Sequence, residues 1–230
     1  MKLLINEAVL NKFETATIGA IRFKISSIGV TKLSELIADI KNNAVISFLK
    51  QYGNCDANQI PQIKKWTDIF QTMNAKKGRE SSIVFLSNYA LEKKTLFNIS
   101  PFVDLYNSIS LKYGMPMGGY NVDKFTGNIQ LRLASKGEEF YGIGSKQVEK
   151  TSANEVVYSD EQGVFCRCWN DKDSDRTKIT SDIADILFIF DGIDQKDEIE
   201  NAISEIREML SLSESVYGIA DKSNPLIDLG

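Results

Sequence analysis

The sequence predicts an α+β fold: a mixed β-sheet core, with helices segregated mainly to the N-terminal half and one further helix near the C-terminus. Three observations point there. Apolar residues recur at helical spacing through most of residues 29–113. Beyond Pro116 the period changes to two, as Ile129, Leu131 and Leu133 alternate with Gln130 and Arg132. A last amphipathic stretch, Glu198 to Leu212, returns to helical spacing. Helices and strands that separate along the chain, rather than alternating regularly, favour α+β over a doubly wound sheet.

From Met1 to about Lys24 short alternating runs read as strands. After Gly29, Leu33, Leu36, Ile37 and Ile40 predict a helix, and Val45, Phe48 and Leu49 predict a second helical segment ending near Gly53. Pro61 suits a helix start, with Ile63, Trp66, Ile69, Phe70 and Met73 on one face. The α-rich stretch runs to about Leu91. Pro101 opens a helix that Gly114 ends, and the Pro116 turn follows. Val156 to Tyr158, Val164 to Trp169 and Ile186 to Phe190 read as strands, the last a continuous buried run. Glu198 to Leu212 turns Ile199, Ile203, Ile206 and Leu210 inward, and the polar tail after Ser213 is expected to be loose.

Composition narrows the chemistry. The 230 residues are 43% apolar and 25% charged, enough to bury a full core. No apolar run approaches the roughly 20 residues of a membrane span, and no secretion signal is read at Met1 to Ile5, so no membrane association is expected. Three cysteines, Cys55, Cys166 and Cys168, are too few and too scattered for a disulfide framework, which favours the cytoplasm. Cys166 and Cys168 would face one side of a strand, but with no histidine the chain musters three sulfurs against the four ligands of a structural zinc. No metal and no cofactor are expected. The absence of histidine also removes the usual general base and every Ser-His-Asp or Cys-His arrangement. A net charge of −4 denies the chain a broad basic footprint, so any RNA contact is expected to be local.

Several groups are candidates for a polar site. Gly118-Gly119, between helix and strand, could bring backbone N–H groups close to an ester or phosphate, or be a plain turn. Asp175-Arg176-Thr177 places an acid, a fork of donors and a hydroxyl in a loop between strands, as a pocket needs and as a local ion pair would also look. Arg176 could hold a carboxyl, ribose or phosphate, and Asp175 a substrate ammonium or a water. Trp169-Asn170 offers a stacking face and an amide, or a tryptophan packed on the sheet. Asn107, one turn beyond Asp104, could reach the same pocket; Asp104 reads better as a first-turn acid. Lys93-Lys94, with Lys76-Lys77 and Arg79, is the best local basic patch, or a set of solvated lysines.

Ser100 to Asn107, continuing through Leu111 to Gly119, resembles the helix and turn that open the B3/B4 (PheT/TilS-like) module, which edits mischarged tRNA in the β subunit of phenylalanyl-tRNA synthetase. Gly127 to Ala134, Gly137 to Phe140, Glu155 to Asp160, Cys168 to Asn170, Asp175 to Thr180 and Ile186 to Phe190 resemble the segments that follow in a free-standing B3/B4 protein. The resemblance covers about Pro101 to Gly192, more weakly Pro61 to Ser82 with Trp66 and Arg79 to Ser82. It implies one B3/B4-like domain over 1–230: a strand-then-helix part at 1–95, the motif region at 96–212 and a loose tail at 213–230.

The implied activity is hydrolysis of a wrongly attached amino acid from tRNA. It suits a protein without histidine, because an aminoacyl ester is already labile, and one aimed donor at the oxyanion contributes about 10²-fold to 10³-fold. The expected catalytic residues are Asp175, Arg176 and Thr177, with Asn107, Gly118, Gly119, Trp169 and Asn170 binding the substrate. Two departures stand out: Gly118 replaces the histidine of the module's Pro-Met-His turn, and Ile189 the glutamate that recognises a tyrosine hydroxyl. The module's Gly-Gly has no counterpart near Asp173-Ser174. Tyrosine specificity is therefore not carried over. Alternatives are a module that binds an amino acid, nucleotide or tRNA end without turnover, and one that docks on a synthetase.

Overall fold

A computed structural model describes residues 1–73, 78–180, 184–212 and 214–230. The chain begins with β1 (Lys2–Ile5), the short helix α1 (Glu7–Lys12) and β2 (Ala16–Lys24). Asn6 caps α1 by accepting from the Ala8 N–H. This helix was not expected, since six residues are too few to show a helical period among alternating runs. Next comes α2 (Ser27–Tyr52), capped by Ser26. It is one helix of 26 residues where two segments were expected.

Then follow α3 (Pro61–Thr72), α4 (Ser82–Lys93) and α5 (Pro101–Tyr113). Proline at the first turn opens α3 and α5, and Gly114, in the left-handed region at φ 66°, closes α5 as its position after Pro101 predicts. Asp104 is not merely a first-turn acid. It is buried against Lys41 of α2 at 3.1 Å and accepts from the Ile99 N–H at 2.9 Å, tying the 95–100 loop to two helices. Removing one partner of such a buried pair costs about 3–5 kcal/mol.

The strands after α5 are β3 (Met117–Asn121), β4 (Ile129–Leu133), β5 (Glu139–Phe140), β6 (Glu149–Lys150), β7 (Val156–Asp160), β8 (Gly163–Arg167), β9 (Lys172–Asp173) and β10 (Asp185–Ile193). Helix α6 (Lys196–Met209) and strands β11 (Ser215–Ala220) and β12 (Leu226–Asp228) complete the chain. The stretch expected to be a loose tail is thus part of the sheets: β11 pairs with β2 and β12 with β1, and Ala220, Ile227 and Leu229 are buried.

Two principal sheets form, in the orders β12-β1-β4-β7-β8-β9 and β11-β2-β10-β3. All nine residues of β10 are buried. Strand alternation divides them between two cores. Ile186, Phe188 and Phe190 pack with Phe102, Leu105 and Ile109 of α5 and Ile199, Ile203 and Ile206 of α6. Leu187, Ile189 and Ile193 face the other way, joining Leu131, Tyr158 and Phe165 of the larger sheet and Trp169 of the turn after β8. Full burial of each large apolar side chain contributes about 1.5–3 kcal/mol. Close approach of α6 to β2 depends on Gly19, where an added Cβ would lie 2.2 Å from the Ile199 side chain.

Candidate functional site

The two halves of the site expected from the sequence, Gly118-Gly119 and Asp175 to Thr177, lie side by side. Gly118-Gly119 is not a turn but the middle of β3, whose register with β10 sets Gly118 opposite Ile189 and Gly119 opposite Phe188. The two positions at which the chain departs from the synthetase module, Gly118 and Ile189, are therefore cross-strand neighbours. Along the free side of β3 runs the segment after β9. Tyr120 bridges Lys178, and the Asn121 N–H donates to the Thr177 carbonyl at 2.9 Å.

Alternation along β3 decides what each glycine meets. An added Cβ at Gly118 would fall 2.4 Å from the Tyr120 hydroxyl, on the face toward the larger sheet. At Gly119 it would fall 2.7 Å from the Ile179 side chain and 2.8 Å from the Tyr106 ring, on the face toward α5. Both glycines thus let backbone approach ring. The Tyr120 hydroxyl donates to Asp173 at 2.8 Å. Burial raises the Asp173 carboxyl above the usual range, against the bonds from Cys166 and Tyr120 that lower it. Burial also pushes the Tyr106 phenol upward, helped by the negative charges of Asp173 and Asp104.

The expected catalytic residues occupy three different environments. Asp175 pairs with Lys178 at 2.7 Å, both side chains partly open to water. Arg176 is not free to meet a substrate: its fork grips Asp160 through two bonds of 2.7 and 2.9 Å, and it also donates to the Lys124 carbonyl. The Asp160 side chain is 0% exposed, so Arg176 neutralises a buried carboxylate. Thr177 is fully buried, and its hydroxyl has no hydrogen-bond partner among the described residues.

Trp169 and Asn170 correct the expectation of a stacking face. Trp169 is 0% exposed, wedged between Phe13 and Trp66 with ring centroids 5.1 and 5.2 Å away. Its indole N–H donates to Asp191 at 3.1 Å; the Asn170 amide donates to the same carboxylate at 3.2 Å and the Tyr158 hydroxyl at 2.5 Å. Ser81 donates to the Asn170 carbonyl oxygen at 2.7 Å. Burial lifts the Asp191 carboxyl to about 7 in spite of these three donors. Asn107 is half-buried on α5, but the neighbouring Tyr106 is what meets Gly119. Of the basic patch, Lys93 and Lys94 are exposed, Arg79 is paired with Asp171 and Glu149, and Lys76 and Lys77 lie outside the described residues.

Sequence reasoning missed Tyr106, Tyr120, Asp173 and Ile179. Reading Met117 to Asn121 as a strand would have found Tyr120, since residues two apart share a face. It also missed a cavity of about 250 Å³ beside the Cys168 turn, lined among others by Lys12, Arg79, Glu155 and Arg167. There Arg167 holds Glu155 through two bonds of 2.8 and 2.9 Å, so much of the charge is internally matched.

The B3/4 domain family model matches residues 65–207. The phenylalanine–tRNA ligase β subunit of Neisseria meningitidis serogroup B is 36% identical over 75 residues, 33% of this chain and 9% of that subunit. The corresponding subunit of Corynebacterium jeikeium is 37% identical over 67 residues, 29% of this chain and 8% of its own length. The matched stretch is thus under a tenth of these relatives. Among solved structures, an N-terminal fragment of the phenylalanyl-tRNA synthetase β subunit from Pyrococcus horikoshii aligns with a TM-score of 0.46 at 10% identity, covering 94% of this chain and 49% of that one. The family match spans α4, α5 and β3 to β10, most of α3 and α6, and the segment beside Gly118-Gly119, and on it the chain belongs to the B3/4 domain family.

Proposed function

We propose that this B3/4 domain protein is a trans-acting editing protein that binds the aminoacylated end of a tRNA and hydrolyses a misattached amino acid. The observation that supports it is the convergence at one sheet edge of β3 and the 174–180 segment, paired through Tyr120 and Lys178, 58 residues apart in the chain. In the reaction, water adds to the ester carbonyl carbon, the bond to the ribose oxygen breaks, and that oxygen takes up a proton to leave as a hydroxyl. A histidine-free site can assist by aiming donors at the oxyanion. Amides two apart on a strand turn to one edge, so the Gly119 N–H would share the side on which Asn121 donates to Thr177. The half-open Asp175–Lys178 pair would receive the amino group or orient the water. A vicinal ribose hydroxyl of the substrate would serve where no protein base exists. A cytoplasmic setting, with the aminoacylated tRNA end as partner and a synthetase as a further one, belongs to this proposal.

A second reading, binding of an amino acid, nucleotide or tRNA end without turnover, is favoured by the rings of Tyr106 and Tyr120 filling the space beside both glycines. Deacylation of a panel of mischarged, terminally labelled tRNAs separates the two. Editing predicts rapid loss of one aminoacyl species, slowed roughly tenfold or more in Lys178→Ala. No loss across the panel, with saturable thermal stabilisation by a ligand, would transfer the function to binding alone.

A further inference from the structure

The outer face of α4 carries an aromatic stack that the editing site does not use. Phe97 stacks on Tyr89 with centroids 3.9 Å apart and lies parallel to Phe85 at 5.8 Å, with an interplanar angle of 6°. Phe85 is the most open of the three, 51% exposed. The stack is held in place rather than loosely adhering. Buried Lys41 donates to the Phe97 carbonyl at 3.1 Å and to the side chains of Asn98 and Asp104, which fixes the loop that brings Phe97 onto α4.

Phe85, Tyr89 and Lys93 are four residues apart, so they share one helix face. At 1.5 Å per residue, Lys93 lies about 12 Å along the axis from Phe85, roughly two nucleotide steps of a single strand. Lys94 follows in the left-handed region at φ 57°, ending the helix with two adjacent exposed cations. Lys93 pairs with Glu92 on an exposed surface, a contact weak enough for a phosphate to displace. In a chain of net charge −4, two lysines at the end of an aromatic row form a local site of the kind that meets both bases and backbone.

We propose that this face is a stacking platform for an unpaired nucleobase of an RNA strand, Phe85 taking the base and Lys93 and Lys94 the neighbouring phosphates. The proposal rests on the domain handling RNA, but not on its turning over an ester. Fluorescence anisotropy with a labelled single-stranded RNA, and with the same RNA annealed to its complement, tests it on the full chain. Single-strand affinity is expected to fall roughly tenfold in Phe85→Leu, which keeps apolar volume but loses the aromatic face, and to be retained in Phe85→Tyr. Replacing both lysines by alanine is expected to flatten the salt dependence. Equal binding by wild type and Phe85→Leu, equal affinity for the duplex, or no RNA binding by the wild type would each overturn the platform; the last would leave the face to a protein partner. Deacylation run beside it separates the failures: turnover by a protein whose RNA affinity ignores Phe85 overturns the platform alone.

Discussion

Two polar regions of the molecule differ in how completely their groups are matched. Around Asp191 three donors converge on one carboxylate: Tyr158, Trp169 and Asn170 all point at it, and Ser81 completes Asn170. Around β3 the matching is incomplete, with a buried Thr177 hydroxyl that no described residue bonds, a half-open Asp175–Lys178 pair, and glycines backed by tyrosine rings. A closed buried network specifies a core, whereas unmatched polar groups beside flat backbone are what a ligand can complete. Trp169 and Asn170 thus belong to the architecture, and Gly118, Gly119, Asp175 and Lys178 remain the proposed working surface.

The largest effect is expected where the network is closed. Asp191→Ala leaves three buried donors without an acceptor and should lower unfolding stability by about 3 kcal/mol or more, measured by urea denaturation. A loss under about 1 kcal/mol would dissolve the contrast between the two regions. Gly119→Val presses into Tyr106 and Ile179, and overpacking of this kind costs about 1–3 kcal/mol. The same variant should abolish deacylation, so a stable variant with normal turnover would place the site elsewhere.

A smaller effect sharpens the comparison through pH. The Asp191 carboxyl titrates near 7 in the fold because of burial, against an ordinary carboxyl near 4 when unfolded. The folded state therefore binds the proton more tightly, and the stability this contributes is present below about pH 4 and lost as pH rises through about 7. Melting temperature should fall over that window in the wild type, and the fall should be shallower in Asp191→Asn.

Much of the fold was legible because its signals are local. Pro101 and Gly114 bound α5, Pro61 opens α3, and the unbroken run Ile186 to Phe190 marks a strand buried on both faces. The misses have equally physical causes. Gly118-Gly119 has no side chains to show a period of two, so a strand reads as a turn. β11 and β12 bury only one residue each, with Gly218 breaking the alternation, so strands read as a tail. The roles of Trp169 and Arg176 were hidden because their partners, Asp191 and Asp160, are 22 and 16 residues away, and only the fold brings them into contact. Removing Arg176 would unpair a buried carboxylate, which makes Lys178→Ala the cleaner probe of the reaction.

The most direct test follows backbone amide signals by NMR while a non-hydrolysable aminoacyl-adenosine is added to the protein. Saturable shifts at Gly118, Gly119, Lys178 and Ile179, with the Trp169 indole N–H unmoved, are the predicted result. Shifts centred on Trp169 and Asn170, or none along β3, would contradict it.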